Sequence, residues 1–374
     1  MTTKLHAALG SFGLATLTAS AAPFLTLGDG SELFLTTTVG VESNNNVALS
    51  ERELSDTIFE VAPGLSLLFG NNALVSGSLT YVESITRYAE HDRFEAELSH
   101  LAFNGRYAEE NTEFNAYASF VQLNQNTVDL RNPGSNELAR RDVATVGGNG
   151  EWEMTPKIGM SFGVDYRRLD FKRAGFVDRE LTSIPFGFFY EMTPKVDVSL
   201  GVRLREIELD RTGGDFSDRY YSLGARGEFT PKLSGTFTLG VTTRDQDVGD
   251  DRTMLGLASD FRYVFSEKTT VTFGAANDFG NSATGETQEN TDLYIGARSA
   301  LTPGFGVSGR IYYRSIDYSV RPDDDYLEAQ VIADYAVNQL ITVSGAIIVR
   351  NNESDLAGGD FENTVLRLAA HLRY

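Results

Sequence analysis

The chain has 374 residues, no cysteine, and 52 acidic against 32 basic side chains, a formal net charge of −20. That acidity speaks against a nucleic-acid partner, which needs basic patches, and the missing cysteine excludes disulfides, thiolate metal sites and a cysteine nucleophile. Thirty-six glycines and an aromatic content of 11% suit β structure more than helix.

At the N-terminus, Lys4 and His6 precede the apolar stretch Ala7 to Leu17, and Ala19-Ser20-Ala21 follows as a small-x-small cleavage site. Residues 1–21 are therefore expected to be an export signal peptide, with residues 22–374 as one mature domain. No run of about 18 apolar residues exists, so no transmembrane helix is expected. Two classes remain: a secreted soluble protein or a membrane β-barrel.

A repeated turn decides between them. Thr-Pro-Lys occurs at Thr155-Pro156-Lys157, Thr193-Pro194-Lys195 and Thr230-Pro231-Lys232, with Thr302-Pro303-Gly304 as a variant. The prolines are spaced by 38, 37 and 72 residues, and Ser266-Glu267-Lys268 fills the midpoint of the long interval. Glu109-Glu110-Asn111, Gly70-Asn71-Asn72 and Asn338-Gln339 extend the period in both directions. After each turn runs a long alternation, as in Val196, Val198, Leu200, Val202 and Leu204 against Asp197, Ser199, Gly201, Arg203 and Arg205. Such strands, read at about nine to eleven residues each, cross a bilayer when tilted; propeller blades would need four shorter ones per period. Aromatics cluster before the turns (Trp152, Phe188-Phe189-Tyr190, Phe229, Phe265) and suit a membrane interface. The other connections are longer and acidic, and 124–141 reads as an enlarged loop.

In chain order the predicted strands are 31–43, 56–68, 73–88, 93–107, 113–123, 140–153, 158–170, 179–192, 196–209, 218–229, 233–244, 253–265, 269–279, 290–301, 305–317, 325–337, 340–350 and 361–374. Pro63 and Pro185 fall inside strands, where a bulge is the usual remedy. The expected fold is all-β: a single closed antiparallel transmembrane barrel of about 18 strands, with short periplasmic turns and longer extracellular loops. Closure follows because lipid cannot satisfy an open sheet edge. The last strand ends on Tyr374, a terminal aromatic that suits recognition by the barrel-insertion machinery.

An arginine facing lipid at mid-depth costs about 2–4 kcal/mol. Alternation then assigns Asp165, Arg167, Asp197, Arg203, Arg205, Arg226, Glu228, Asp260, Arg262, Arg298, Arg310, Asp334 and Arg367 to the pore lining. Tyr221, Leu223, Phe261, Ile295 and Ile311 are expected to face lipid. The charged lining has two readings, a transverse field that orients solutes or a set of salt bridges that hold the wall. Tyr294 and Tyr312 are expected to face inward, where rings can pack on sugars.

The stretch SDTIFEVAPGLSLLFG, Ser55 to Gly70, with LFLTTTVGVESNNNVALS before it, resembles the opening of the Putative beta-barrel porin 2 family. The hairpin repeat and aromatic terminus extend the resemblance over nearly the whole mature chain. It implies an outer-membrane channel in a Gram-negative-type bacterium, with a link to exopolysaccharide export, a saccharide as solute and no catalytic motif. The alternative function is a non-conducting structural or adhesive protein acting through acidic loops.

Enzymatic and metal chemistry find little support. Ser99 and His100 are adjacent on a strand and point to opposite faces, so they cannot pair directly. His371 is expected in the lumen near Arg367 and Arg373. Asp323-Asp324-Asp325 and Asp245, Asp247, Asp250 and Asp251 offer oxygens that Ca²⁺ favours, but neither matches an EF-hand loop. No cofactor, metal site or catalytic residue is expected, and the bilayer is the main partner.

Overall fold

The computed structural model describes residues 22–374 apart from 29, 72, 131–135, 211–213 and 321. The expected signal peptide lies outside the described residues.

A short strand, β1 (Leu25–Thr26), precedes the long ones: β2 (Ser31–Asn44), β3 (Asp56–Phe69), β4 (Val75–Tyr88), β5 (Ala96–Glu109), β6 (Thr112–Asn124) and β7 (Arg140–Thr155). Then come β8 (Ile158–Phe171), β9 (Arg179–Thr193), β10 (Val196–Leu209), β11 (Phe216–Thr230), β12 (Leu233–Gln246) and β13 (Arg252–Val264). The last six are β14 (Thr269–Asn281), β15 (Thr287–Thr302), β16 (Phe305–Tyr318), β17 (Asp324–Ala336), β18 (Ile341–Ser354) and β19 (Phe361–Arg373). From β2 onward each strand pairs antiparallel with the next, and β19 pairs with β2, so 18 strands close into a barrel. β1 is an extra pairing on the start of β2, through Leu25↔Leu33. The seam finishes where Tyr374 and Leu35 exchange both backbone hydrogen bonds, at 2.6 and 2.9 Å. All predicted strands are present, with ends moved by a few residues.

The repeated turn has a local cause. In each Thr-Pro-Lys copy the threonine hydroxyl accepts from two backbone N–H groups across the turn. Thr155 takes Lys157 and Ile158 at 3.3 and 3.1 Å. Thr193 takes Lys195 and Val196 at 3.4 and 3.1 Å, and Thr230 takes Lys232 and Leu233 at 3.3 and 3.0 Å. Ser266 and Asn338 repeat the pattern with their own side-chain oxygens. The proline sets φ and lacks a donor the turn cannot use. A register shift accompanies several of these turns, as between Glu228 and Thr230. Gly227, at φ +134°, precedes that shift because a Cβ there would strike the carbonyl of Lys195.

Neither interior proline needs a bulge. Pro63 pairs in register with Thr37 on β2, and Pro185 with Arg203 on β10. On the other side of each, the ladder is interrupted for two residues and resumes in the same register. A missing N–H is thus met by a gap in one ladder, and the expected bulge is absent.

From β2 onward the strands run 13 to 16 residues, longer than the about nine to eleven that crossing a bilayer takes. At about 3.4 Å per residue even 13 residues give roughly 44 Å, more than an apolar band of about 25 Å requires at a tilt of about 40°. The surplus lies toward the long loops, and there the alternation inverts. Along β10, Leu200 and Leu204 face out, but so do the exposed Glu206 and Glu208. Ile207 and Leu209 point inward at that level and pack with Phe216. The predicted rule of apolar outside and polar inside holds at mid-height and reverses above it, because the upper wall stands in water and its interior is filled by loops. Leu49 and Val128, from two long loops, pack on Ile316, Tyr318, Tyr326 and Phe361. Leu130, Ala139 and Ala283 pack on Val143, Leu169 and Phe171.

Candidate functional site: the charged lumen

Inward direction can be read from contacts between strands that are not neighbours, which only the concave face allows. Arg226 on β11 reaches Glu151 on β7 at 2.7 Å and its neighbour Asp197 at 3.0 Å. Arg203 and Arg205 on β10 share Asp278 on β14, at 2.8 and 3.0 Å. Arg205 also binds Asp218 at 2.5 Å, and Arg244 closes on the same carboxylate group at 2.6 Å. Tyr117 on β6 donates to Asp165 on β8, Tyr294 on β15 to Asp260 on β13, and Arg367 on β19 to Glu60 on β3.

The remaining sequence-assigned residues share this face by register. Arg167 stands opposite Thr145, two places from Asp165. Arg262 stands opposite Ser234 and Thr272, two places from Asp260. Arg298 is four places from Tyr294 on β15, and Asp334 lies near it. Arg310 sits between two rings, 5.0 Å from the centroid of Tyr294 and 5.3 Å from that of Tyr312. Glu228 has the inward parity but lies at the short-turn rim, exposed and paired with Lys195 at 2.7 Å. Tyr221, Leu223, Ile295 and Ile311 are exposed on the convex face.

Two features escaped the sequence. The first is the set of acids that answer the arginines: Glu151, Asp218, Asp278, Asp292 and Glu60. Most lie on the same alternating face and could have been found by extending parity along each strand. The second is a crossing of the lumen. Arg314 on β16 binds Asp292 at 2.6 Å and Asp129 at 2.8 Å. Asp129 belongs to the loop between β6 and β7, which stand on the opposite side of the ring. Asn126 of that loop also donates to the carbonyls of Ala48 and Glu137, at 2.6 and 2.9 Å. Only the tertiary fold brings these together.

The other sought chemistries do not assemble. Ser99 donates to Glu83 on the convex side, while the His100 ring meets the carbonyl of Gln122. His371 lies between Ser344 at 2.8 Å and Thr38 at 3.0 Å, so its second nitrogen meets a hydroxyl and no carboxylate. Asp323, Asp324 and Asp325 bind Tyr318 N–H, Tyr318 O–H and Tyr313 O–H respectively, and so diverge. Asp245 pairs with Arg219 outside the wall. Among the described residues no three His, Cys, Asp or Glu side chains converge as metal ligands.

Residues 34–374 match the family described as Putative beta-barrel porin 2. The chain belongs to this family. The porin is therefore an outer-membrane channel for hydrophilic solutes, with its short turns periplasmic and its long loops extracellular. Porins are not enzymes, and membership favours conduction over the adhesive alternative. Among solved structures, Pseudomonas aeruginosa OpdL is similar at a TM-score of 0.51 and 12% identity, over 93% of this chain and 99% of that one. P. aeruginosa OpdK, solved with vanillate, gives 0.51 and 11%, over 93% and 100%. At such identities the likeness is one of fold. No curated protein matches the sequence.

Proposed function

We propose that this porin passes saccharides, acidic ones included, by passive diffusion, and that the thirteen charged residues named above line the path. The observation that carries the reading is Arg310 between the rings of Tyr294 and Tyr312, with its buried Nε free of any hydrogen-bond partner. Flat aromatic faces stack on the C–H faces of sugars, and a guanidinium with donors to spare binds hydroxyls and carboxylates. Saccharide export as a polymer would use the same surface, in line with the family's link to exopolysaccharide.

The test is conductance of the purified porin in planar bilayers, with glucose and galacturonate added in turn. Both sugars are expected to enter, and galacturonate to interrupt current at lower concentration. Tyr294→Leu should weaken that interruption several-fold while leaving the single-channel step in salt nearly intact. A channel that conducts salt but never responds to either sugar would rule the saccharide reading out.

A further inference from the structure

Six of the inward arginines already described have a carboxylate in contact; among the described residues, Arg141, Arg167 and Arg179 on β7, β8 and β9 have none. Arg141 is 1% exposed. Its Nη1 donates to the carbonyls of Gln125 and Ala139 at 3.0 and 3.2 Å, and its Nη2 is buried with no partner. Arg179 donates through Nη1 to the carbonyls of Asn281 and Ser282, at 2.6 and 3.1 Å. Arg167 has a buried Nε with no partner, and so does the Nδ2 of Asn281, beside Arg179.

The register holds the three together. Arg141 stands opposite Phe171, Arg179 opposite Leu169, and Arg167 opposite both Thr145 and Leu181. They therefore cluster on three adjacent strands within four residues' height of the inner wall, close enough to repel one another. Their surroundings are apolar: Val143, Leu169 and Phe171 belong to one buried cluster with Leu130, Ala139 and Ala283. Arg141 and Arg179 both sense Asp129, which is already bound to Arg314. Three desolvated like charges without a counter-charge are expensive. The unused donors, Arg141 Nη2, Arg167 Nε and Asn281 Nδ2, are all N–H groups, and the two guanidinium ones favour an oxygen that carries negative charge.

We propose that Arg141, Arg167 and Arg179, with the Asn281 amide, form an oxyanion site on the inner wall just below the extracellular mouth. Its ligand chemistry is a small anion with two or three coplanar or tetrahedral oxygens. That anion can be the carboxylate of a passing solute or free inorganic phosphate. The carboxylate source rests on the acidic-saccharide reading above; the phosphate source does not.

The test is thermal unfolding of the detergent-solubilised porin with added phosphate or galacturonate, against chloride at equal ionic strength. Phosphate, galacturonate or both should raise the midpoint of the native protein. In Arg167→Gln the concentration giving half that rise should increase about tenfold, since one charged donor is lost. Arg168→Gln, one residue along and on the convex face, should respond like the native protein. Arg167 is chosen because it holds no loop carbonyl; if Arg167→Gln fails to form the heat-modifiable barrel, Arg167→Lys replaces it, with the same increase expected. No response of the native protein to either anion, or an undiminished response in the Arg167 variant, would overturn the site. A response to phosphate alone assigns the free anion as ligand. A response to phosphate in a channel that no sugar enters keeps the site and removes the saccharide reading.

Discussion

Thr193 contributes to the barrel through one oxygen atom, which takes two backbone N–H groups that the turn would otherwise leave to water. Thr193→Ala should lower stability by about 1 kcal/mol, read as an earlier urea midpoint for the porin in lipid vesicles. Pro194→Gly would act instead through the unfolded chain, by up to about 1 kcal/mol. Asp129 acts at longer range. Asp129→Asn should loosen the loop from the far wall, so that amide exchange over Val128 to Leu130 accelerates about tenfold. Alternation assigns the thirteen charged positions to one face as a group, since an arginine cannot face hydrocarbon cheaply. It could not say which acid each arginine would meet, because Arg226 finds Glu151 four strands away. Asp129 was illegible for the same reason: nothing local marks a loop aspartate as the partner of Arg314.

Strands and turns were the most legible level. Period-two patterning and a threonine-led turn are local signals, and every strand from β2 to β19 follows from them. The same patterning predicts a sided response to substitution. Leu200 is 61% exposed on the convex face, and Ser199 beside it points inward. Leu200→Arg should destabilise by about 2–4 kcal/mol in a bilayer, and Ser199→Arg by far less; refolding yields into vesicles of both variants check this. What the pattern hid was how much of each strand faces lipid. Glu206, Ile207, Glu208 and Leu209 still alternate, so nothing in periodicity marks where lipid stops. The reversal of faces is visible only as charge moving to the outward position. The interior prolines misled for a different reason, since an interrupted ladder accommodates them without the extra residue a bulge needs.

At the scale of the whole molecule, eighteen strands fix the wall, and the loops occupy its upper interior. Deleting residues 127–137 with a short Gly-Ser bridge removes Val128, Asp129 and Leu130 from the lumen. Single-channel conductance should then rise at least two-fold while heat-modifiable mobility stays that of a folded barrel; an unchanged step would mean the loop is not part of the resistance. The buried contacts of Leu49 and Val128 with Ile316 and Phe361 have one more consequence. Circumference and aperture are set by separate parts of the chain, so relatives could share a ring of the same size yet sieve molecules of quite different bulk, and the diameter of the cylinder is a poor guide to what gets through.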